Sequence, residues 1–166
     1  MAAFSVTSKS VQLATAWTGS GTEPGGIVAV GSIAGTLTSP QNLSPYLHAG
    51  AEPGSSVAMN PSTTFASLGF EQKIPGLKVG DDLVLDLYAD YATSLLNTII
   101  NTTLGGLGAF VYGDIKPTSA SRSATNTSFV FGAYISADKK LTGAVGDIAG
   151  RQITLTLTGT FTELAS

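Results

Sequence analysis

The chain has no cysteine. Disulfides, thiolate metal sites and cysteine nucleophiles are therefore excluded, while the redox compartment stays open. Histidine is nearly absent as well: His48 is the single copy, which leaves little for an imidazole-based triad or a multi-histidine metal site. Charge is scarce. Only 11% of residues are charged, against about 25% in an average soluble domain. Eight Lys and Arg against eleven Asp and Glu give a net charge of −3 and a pI near 4.9, the wrong balance for a surface that holds nucleic acid by its phosphates. Lys139-Lys140 is the only adjacent basic pair. No apolar run approaches a membrane span, and residues 1–11 carry one lysine and no apolar core, so neither an anchor nor a signal peptide is expected and synthesis in a cytoplasm is.

What is present is apolar. The hydrophobic fraction is 43% and the mean hydropathy +0.27 over 166 residues, enough for one domain with a substantial core. A surface this poor in charge is expected to hide part of itself in a partner or in a copy of itself. Catalytic constellations do not form along the sequence. There is no G-x-S-x-G elbow, and Gly105, Gly106 and Gly108 follow a helical stretch instead of opening one, which excludes a phosphate loop. Asp81, Asp82, Asp86 and Asp90 are the densest carboxylates, but their spacing matches no calcium loop and neighbouring strand residues point to opposite faces. The expectation is no enzyme, no metal and no cofactor.

Periodicity carries the fold. Over 151–162, Ile153, Leu155, Leu157 and Phe161 share one parity and Thr154, Thr156, Thr158, Thr160 and Thr162 the other, which predicts a strand with a buried and a hydroxyl-bearing face. Residues 83–89 alternate in the same way, with Val84, Asp86, Tyr88 and Asp90 on the second face. Strands are also predicted over 26–38, 63–74, 107–116 and 129–136, with turns at 19–26 and Pro75-Gly76, a polar loop at 118–126 and a glycine-rich hinge at 137–150. One helix is predicted at 92–103, from Ala92, Leu95, Leu96, Ile99, Ile100 and Leu104 at helical spacing, capped by Asp90 or Thr93 and ended by Gly105-Gly106. Residues 1–25 read as an N-terminal arm containing a strand. Residues 39–62 hold Pro40, Pro45, Pro53 and Pro61, which exclude a central strand or a helix and predict a long loop. Its Leu43, Tyr46, Leu47, His48, Val57 and Met59 are the candidates for inter-subunit contact, so that removing the loop would leave a folded but non-assembling subunit. The fold class is mainly β, a single sandwich- or barrel-like domain with one flanking helix and long loops.

From Phe70 onward the order of features resembles the major tail protein, or tail tube protein, of long-tailed bacteriophages. The residues carrying this are Lys73-Ile74-Pro75-Gly76-Leu77-Lys78-Val79-Gly80-Asp81-Asp82 running into Leu83-Val84-Leu85-Asp86-Leu87, then the helix. Ser123-Ala124-Thr125-Asn126-Thr127-Ser128-Phe129, the Gly146-Asp147 hinge and 153–160 follow, and the likeness covers about the last 60% of the chain. It implies a virion subunit forming hexameric rings stacked into a tube, joined to other tail proteins, through which DNA passes without specific binding and without a membrane. It also implies that one strand face lines the lumen. Asp86, Tyr88 and Asp90, or the row Thr154, Thr156, Thr158 and Thr160, are the candidates. Two other classes remain open: a capsid decoration protein, which would form compact trimers, and a carbohydrate-binding sandwich using Trp17, Tyr88 and Tyr112 as its aromatic platform.

Overall fold

The threonine-rich alternation near the C-terminus builds a strand at the middle of the sheet. In a computed structural model, described for residues 9–19, 24, 35–61, 73–89, 94–144, 148–159 and 161–165, strand β11 (Gly150–Leu157) buries Arg151, Ile153, Leu155 and Leu157 and turns Gln152, Thr154 and Thr156 the other way. It lies between β10 (Ser128–Thr142) and β8 (Leu83–Tyr88), antiparallel to both. The sheet continues through β9 (Phe110–Lys116) to β1 (Ser10–Ala14) on one side. It closes with the short edge strands β4 (Gln41–Asn42) beyond β1 and β5 (Leu47–Gly50) beyond β8. Two antiparallel ribbons stand apart from it, β2 (Ala16–Thr18) with β3 (Thr36–Thr38), and β6 (Ser55–Pro61) with β7 (Lys73–Gly80). The fold is mainly β with a single short helix, as its composition and periodicity led us to expect.

The core fills one face of this sheet. Leu83, Leu85 and Leu87, Ile153 and Leu155, Phe131 and Ile135, Val111 and Ile115, and Val11 and Leu13 are all buried there. Each aliphatic side chain removed from water contributes about 1.5–3 kcal/mol. The helix covers them with Leu96, Ile99, Ile100 and Leu104. It is shorter than the spacing predicts: α1 spans Leu95–Thr98 and then widens into a π turn over Ile99–Thr103, closed by a bond from the Leu104 amide to the Ile99 carbonyl. Ser94 sits at φ 57, which no helical residue adopts, so the helix begins after it. The β-branched Ile99, Ile100, Thr102 and Thr103 favour a regular α-helix weakly. Gly105 and Gly106, at φ 88 and 74, end it as expected. The proposed caps Asp90 and Thr93 lie outside the described residues.

Several elements differ from expectation for identifiable reasons. Residues 39–62 are not a structureless loop. They contain β4, a 3-10 turn at Ser44–Tyr46, β5 and β6. Prolines are compatible with all of these, because edge strands leave half of their amides unpaired and Pro45 occupies the start of the 3-10 turn. Pro75-Gly76 lies inside β7, at a bulge where the register slips between Val57 and Met59 of β6. The stretch read as a hinge from 137 is a continuation of β10, a strand of 15 residues that absorbs two register shifts against β11. Conversely, β11 stops at Leu157. The Thr158 amide and hydroxyl both donate to the Gly132 carbonyl, at 3.0 and 3.1 Å. The chain then turns back as β12 (Thr162–Leu164) to pair with the start of β10. Phe161 still reaches the core, edge-on to Phe131 at 5.1 Å. The readings at 26–34, 63–72, 91–93 and 145–147 fall outside the described residues.

One glycine is fixed by close approach. A Cβ on Gly113 would stand 2.1 to 2.6 Å from three ring carbons of the buried Phe131, so Gly113→Ala is expected to cost about 1–3 kcal/mol by overpacking. Urea denaturation reads this directly, and an unchanged midpoint would mean that the ring can swing aside.

Candidate functional site

Burying one parity of β8 and β11 necessarily projects the other parity away from the core. Because these strands are neighbours, their outward residues form one surface: Val84 pairs with Thr154, and Asp86 with Gln152. The two rows that the sequence nominated as alternatives for a lumen, Asp86 with Tyr88 and Thr154 with Thr156, therefore lie on one face. The carboxylate on it is not bare, since Gln152 Nε2 donates to Asp86 Oδ1 at 2.8 Å. Thr156 and Tyr88 are exposed, and Tyr134 of β10, the cross-strand partner of Thr156, is exposed beside them. Thr158 does not continue the row, because it lies past the end of β11 with its hydroxyl held by the Gly132 carbonyl. Asp90 and Thr160 are outside the described residues.

Aromatic rings extend the same face sideways. Tyr134 meets Phe110 at 5.2 Å, Phe110 meets Tyr112 at 5.0 Å, and Tyr112 meets Trp17 of β2 at 6.2 Å. Of the trio considered as a sugar platform, Trp17 and Tyr112 are thus neighbours, but Tyr88 is three strands away, across β10 and β11. Tyr88 is instead coupled to His48 of the edge strand β5, with the Tyr88 hydroxyl 2.9 Å from His48 Nδ1 and the rings 4.9 Å apart. This pair lines a shallow cleft of about 450 Å³ with Asp86, Thr142 and Ile148. The histidine's partner is a phenol, and Asp86 in the same cleft already accepts from Gln152, so no nucleophile–base pair is assembled there among the described residues. Among the described residues no group of three or more histidine or acidic side chains could hold a metal ion.

The second surface is the β6–β7 ribbon. Its base is fixed by the Gly80 amide on the Gly159 carbonyl and the Asp81 amide on the Gly54 carbonyl, both at 3.0 Å. Beyond that base its apolar side chains lie in the open: Leu77 is 84% exposed, Val79 53%, Met59 52% and Val57 38%. A two-stranded ribbon is marginal alone in water, and contiguous exposed apolar side chains are characteristic of interaction surfaces. The six inter-subunit candidates divide accordingly. Val57 and Met59 are on the ribbon and His48 is exposed on β5, but Leu43 is fully buried, and Tyr46 and Leu47 pack against the core. Leucine in a proline-rich stretch reads equally well as a contact residue or as an edge-strand plug. Here the 3-10 turn points Leu43 inward. Leu77 and Val79 were not nominated, because Pro75-Gly76 reads as a turn and hides the alternation on either side of it. Deleting 39–62 would also remove the buried Leu43 and Ala51 and the edge strand β5, so it would damage the subunit itself.

Among the described residues no helix is long and apolar enough to cross a membrane. No protein-family model matches the sequence, and no curated protein matches it. At the level of structure there is a match: a chain in the six-fold-symmetrised cryo-EM structure of the anti-feeding prophage baseplate aligns with 99% of this chain and 98% of its own length, with a TM-score of 0.57 and 9% identity. At that identity the likeness is one of fold, and the chain shares over almost its whole length the fold of a baseplate component.

Proposed function

We propose that this chain is a structural virion protein of the phage-tail type and, more specifically, a tube subunit that forms hexameric rings stacked into a conduit for DNA. The observation that carries the reading is the exposed apolar β6–β7 ribbon on a charge-poor chain, which is stable in water only when another subunit covers it. The full-length fold likeness to a chain of a six-fold-symmetrised baseplate supports the same class of assembly. Within it, Asp86, Tyr88, Thr154 and Thr156 form the lumen wall, while His48, Val57 and Met59, joined by Leu77 and Val79, contact neighbouring subunits. A wall of hydroxyls, amides and a hydrogen-bonded carboxylate suits a passage for DNA, because a cationic wall would bind the phosphates and stall them. The role is structural and requires no cofactor, and other tail proteins cap the tube at its ends.

Negative-stain microscopy of the purified protein tests this: rings or tubes of sixfold symmetry are expected, and compact trimers would overturn it in favour of a head decoration protein. The lumen assignment has its own test. Thr156→Lys places one added cation per subunit on the exposed face, six per ring, and is expected to leave tubes intact while lowering DNA delivery by about tenfold or more. Unchanged delivery would put that face on the outside.

A further inference from the structure

Among the described residues, the charged side chains that remain free sit at opposite ends of the subunit with opposite sign. Lys139 and Lys140 are exposed near the end of β10, paired in register with Gln152 and Arg151. Asp81 and Asp82 are exposed just ahead of β8, whose Leu87 pairs with that same Arg151. Counting from Leu87 back to Asp81 separates the two groups by roughly 20 Å along the strand direction. Glu52 and Glu163 are exposed at the acidic end, flanking the corner where Pro53 and Gly54 meet Phe161.

Among the described residues, charges of the minority sign are already engaged at each end. At the acidic end Lys9 donates to the Gly50 and Ala51 carbonyls, Lys116 donates to the Ala120 carbonyl, and Arg122 faces Asp114. At the basic end Asp138 is held by Arg151 and Asp86 by Gln152. Lys139, Lys140, Asp81 and Asp82 have no ion-pair partner among the described residues. Apolar area accompanies both groups: Leu141 and Ile148 are 70% and 74% exposed beside the lysines, and the β6–β7 ribbon projects from the acidic end.

The geometry points to a second copy of this chain as the occupant of each end, docked head to tail, with Lys139 and Lys140 of one copy against Asp81 and Asp82 of the next. Contact between two different patches of one chain leaves a free patch of each kind, so it propagates as a filament instead of closing as a dimer. Apolar side chains supply the buried area, and the charges fix the polarity of the stack, since reversing one copy would set like charges together. This deepens the tube reading by identifying the axial contact, and it rests on that reading only for the ring.

The test is a charge swap. Lys139→Glu/Lys140→Glu and Asp81→Lys/Asp82→Lys are each expected to raise the concentration for half-assembly by about tenfold or more at low salt. Combining all four is expected to restore assembly. In wild-type particles made from mixed ¹⁴N and ¹⁵N protein, carbodiimide should join Lys139 or Lys140 to Asp81 or Asp82 between copies, a readout that does not depend on the variants folding. Tubes from both single-end variants at wild-type concentration, with no such cross-link, would overturn the contact and leave the tube reading standing. Untubular head-to-tail filaments carrying the cross-link would overturn the tube reading and support the contact, whereas a wild-type protein that stays monomeric would overturn both.

Discussion

Replacing Asp138 with alanine is expected to destabilise the subunit by about 3–5 kcal/mol, the range for removing one partner of a buried ion pair. Arg151 donates through Nε and Nη2 to the two carboxylate oxygens of Asp138 at 2.8 and 2.7 Å, and the side chains are only 5% and 11% exposed. The guanidinium also reaches the helix, where Nη1 and Nη2 lie 3.4 and 3.3 Å from the Asn97 and Asn101 side-chain oxygens, and Asn101 in turn donates to Asn97 at 2.6 Å. Loss of the carboxylate leaves a buried cation with two long, neutral hydrogen bonds. It also loosens the polar tie that holds the short, π-distorted helix to the sheet. For a domain of this size the melting temperature should fall by roughly 6 to 20 °C. The variant Asp138→Leu/Arg151→Met is expected to recover most of the loss, because no charge is then orphaned. Urea denaturation at concentrations below assembly measures both. A single variant within about 1 kcal/mol of wild type would show that the two asparagines or water suffice for the guanidinium.

Arg151 also shows what sequence reading can and cannot reach. It shares the parity of Ile153, Leu155 and Leu157, a position not singled out from the sequence, and an arginine on the core side of a strand requires a partner. The partner could not be named, because Asp138 comes to face it only through the bulge between Ile135 and Ala137. That bulge is also why 137–142 reads as a hinge: the alternation breaks while the backbone ladder carries on, and ladder bonds need no side-chain signal. Strands with one face in the core, 83–88, 129–136 and 151–157, were legible. Edge strands were not, since β4 and β5 bury little and are specified mainly by backbone pairing. The candidate face was half legible. Each strand's outward parity could be read alone, but the merging of Asp86 with Thr154 into one surface depends on β8 and β11 being neighbours, a fact contained in neither strand.

Shortening the β6–β7 ribbon should abolish assembly outright while sparing the fold. In the variant, 57–78 are replaced by Asn-Gly, so that Ser56 runs through a tight turn into its register partner Val79. The bonds at the ribbon's base, Gly80 to Gly159 and Asp81 to Gly54, are kept. None of the removed residues whose burial is described belongs to the buried core, so the melting temperature of the monomer is expected to stay within about 4 °C of wild type, equivalent to about 1 kcal/mol. Assembly should nonetheless vanish, because Leu77, Met59 and Val57 leave together as one exposed apolar cluster and the charged ends alone contribute little at physiological salt. Met59→Ser/Leu77→Ser provides the same test without altering the chain path, with a smaller expected loss. Sedimentation and microscopy read both variants. Tubes from the shortened protein at wild-type concentration would remove the ribbon from the interface, and the contacts between subunits would then have to come from the charged ends, with Leu141 and Ile148, and from the faces of the sheet.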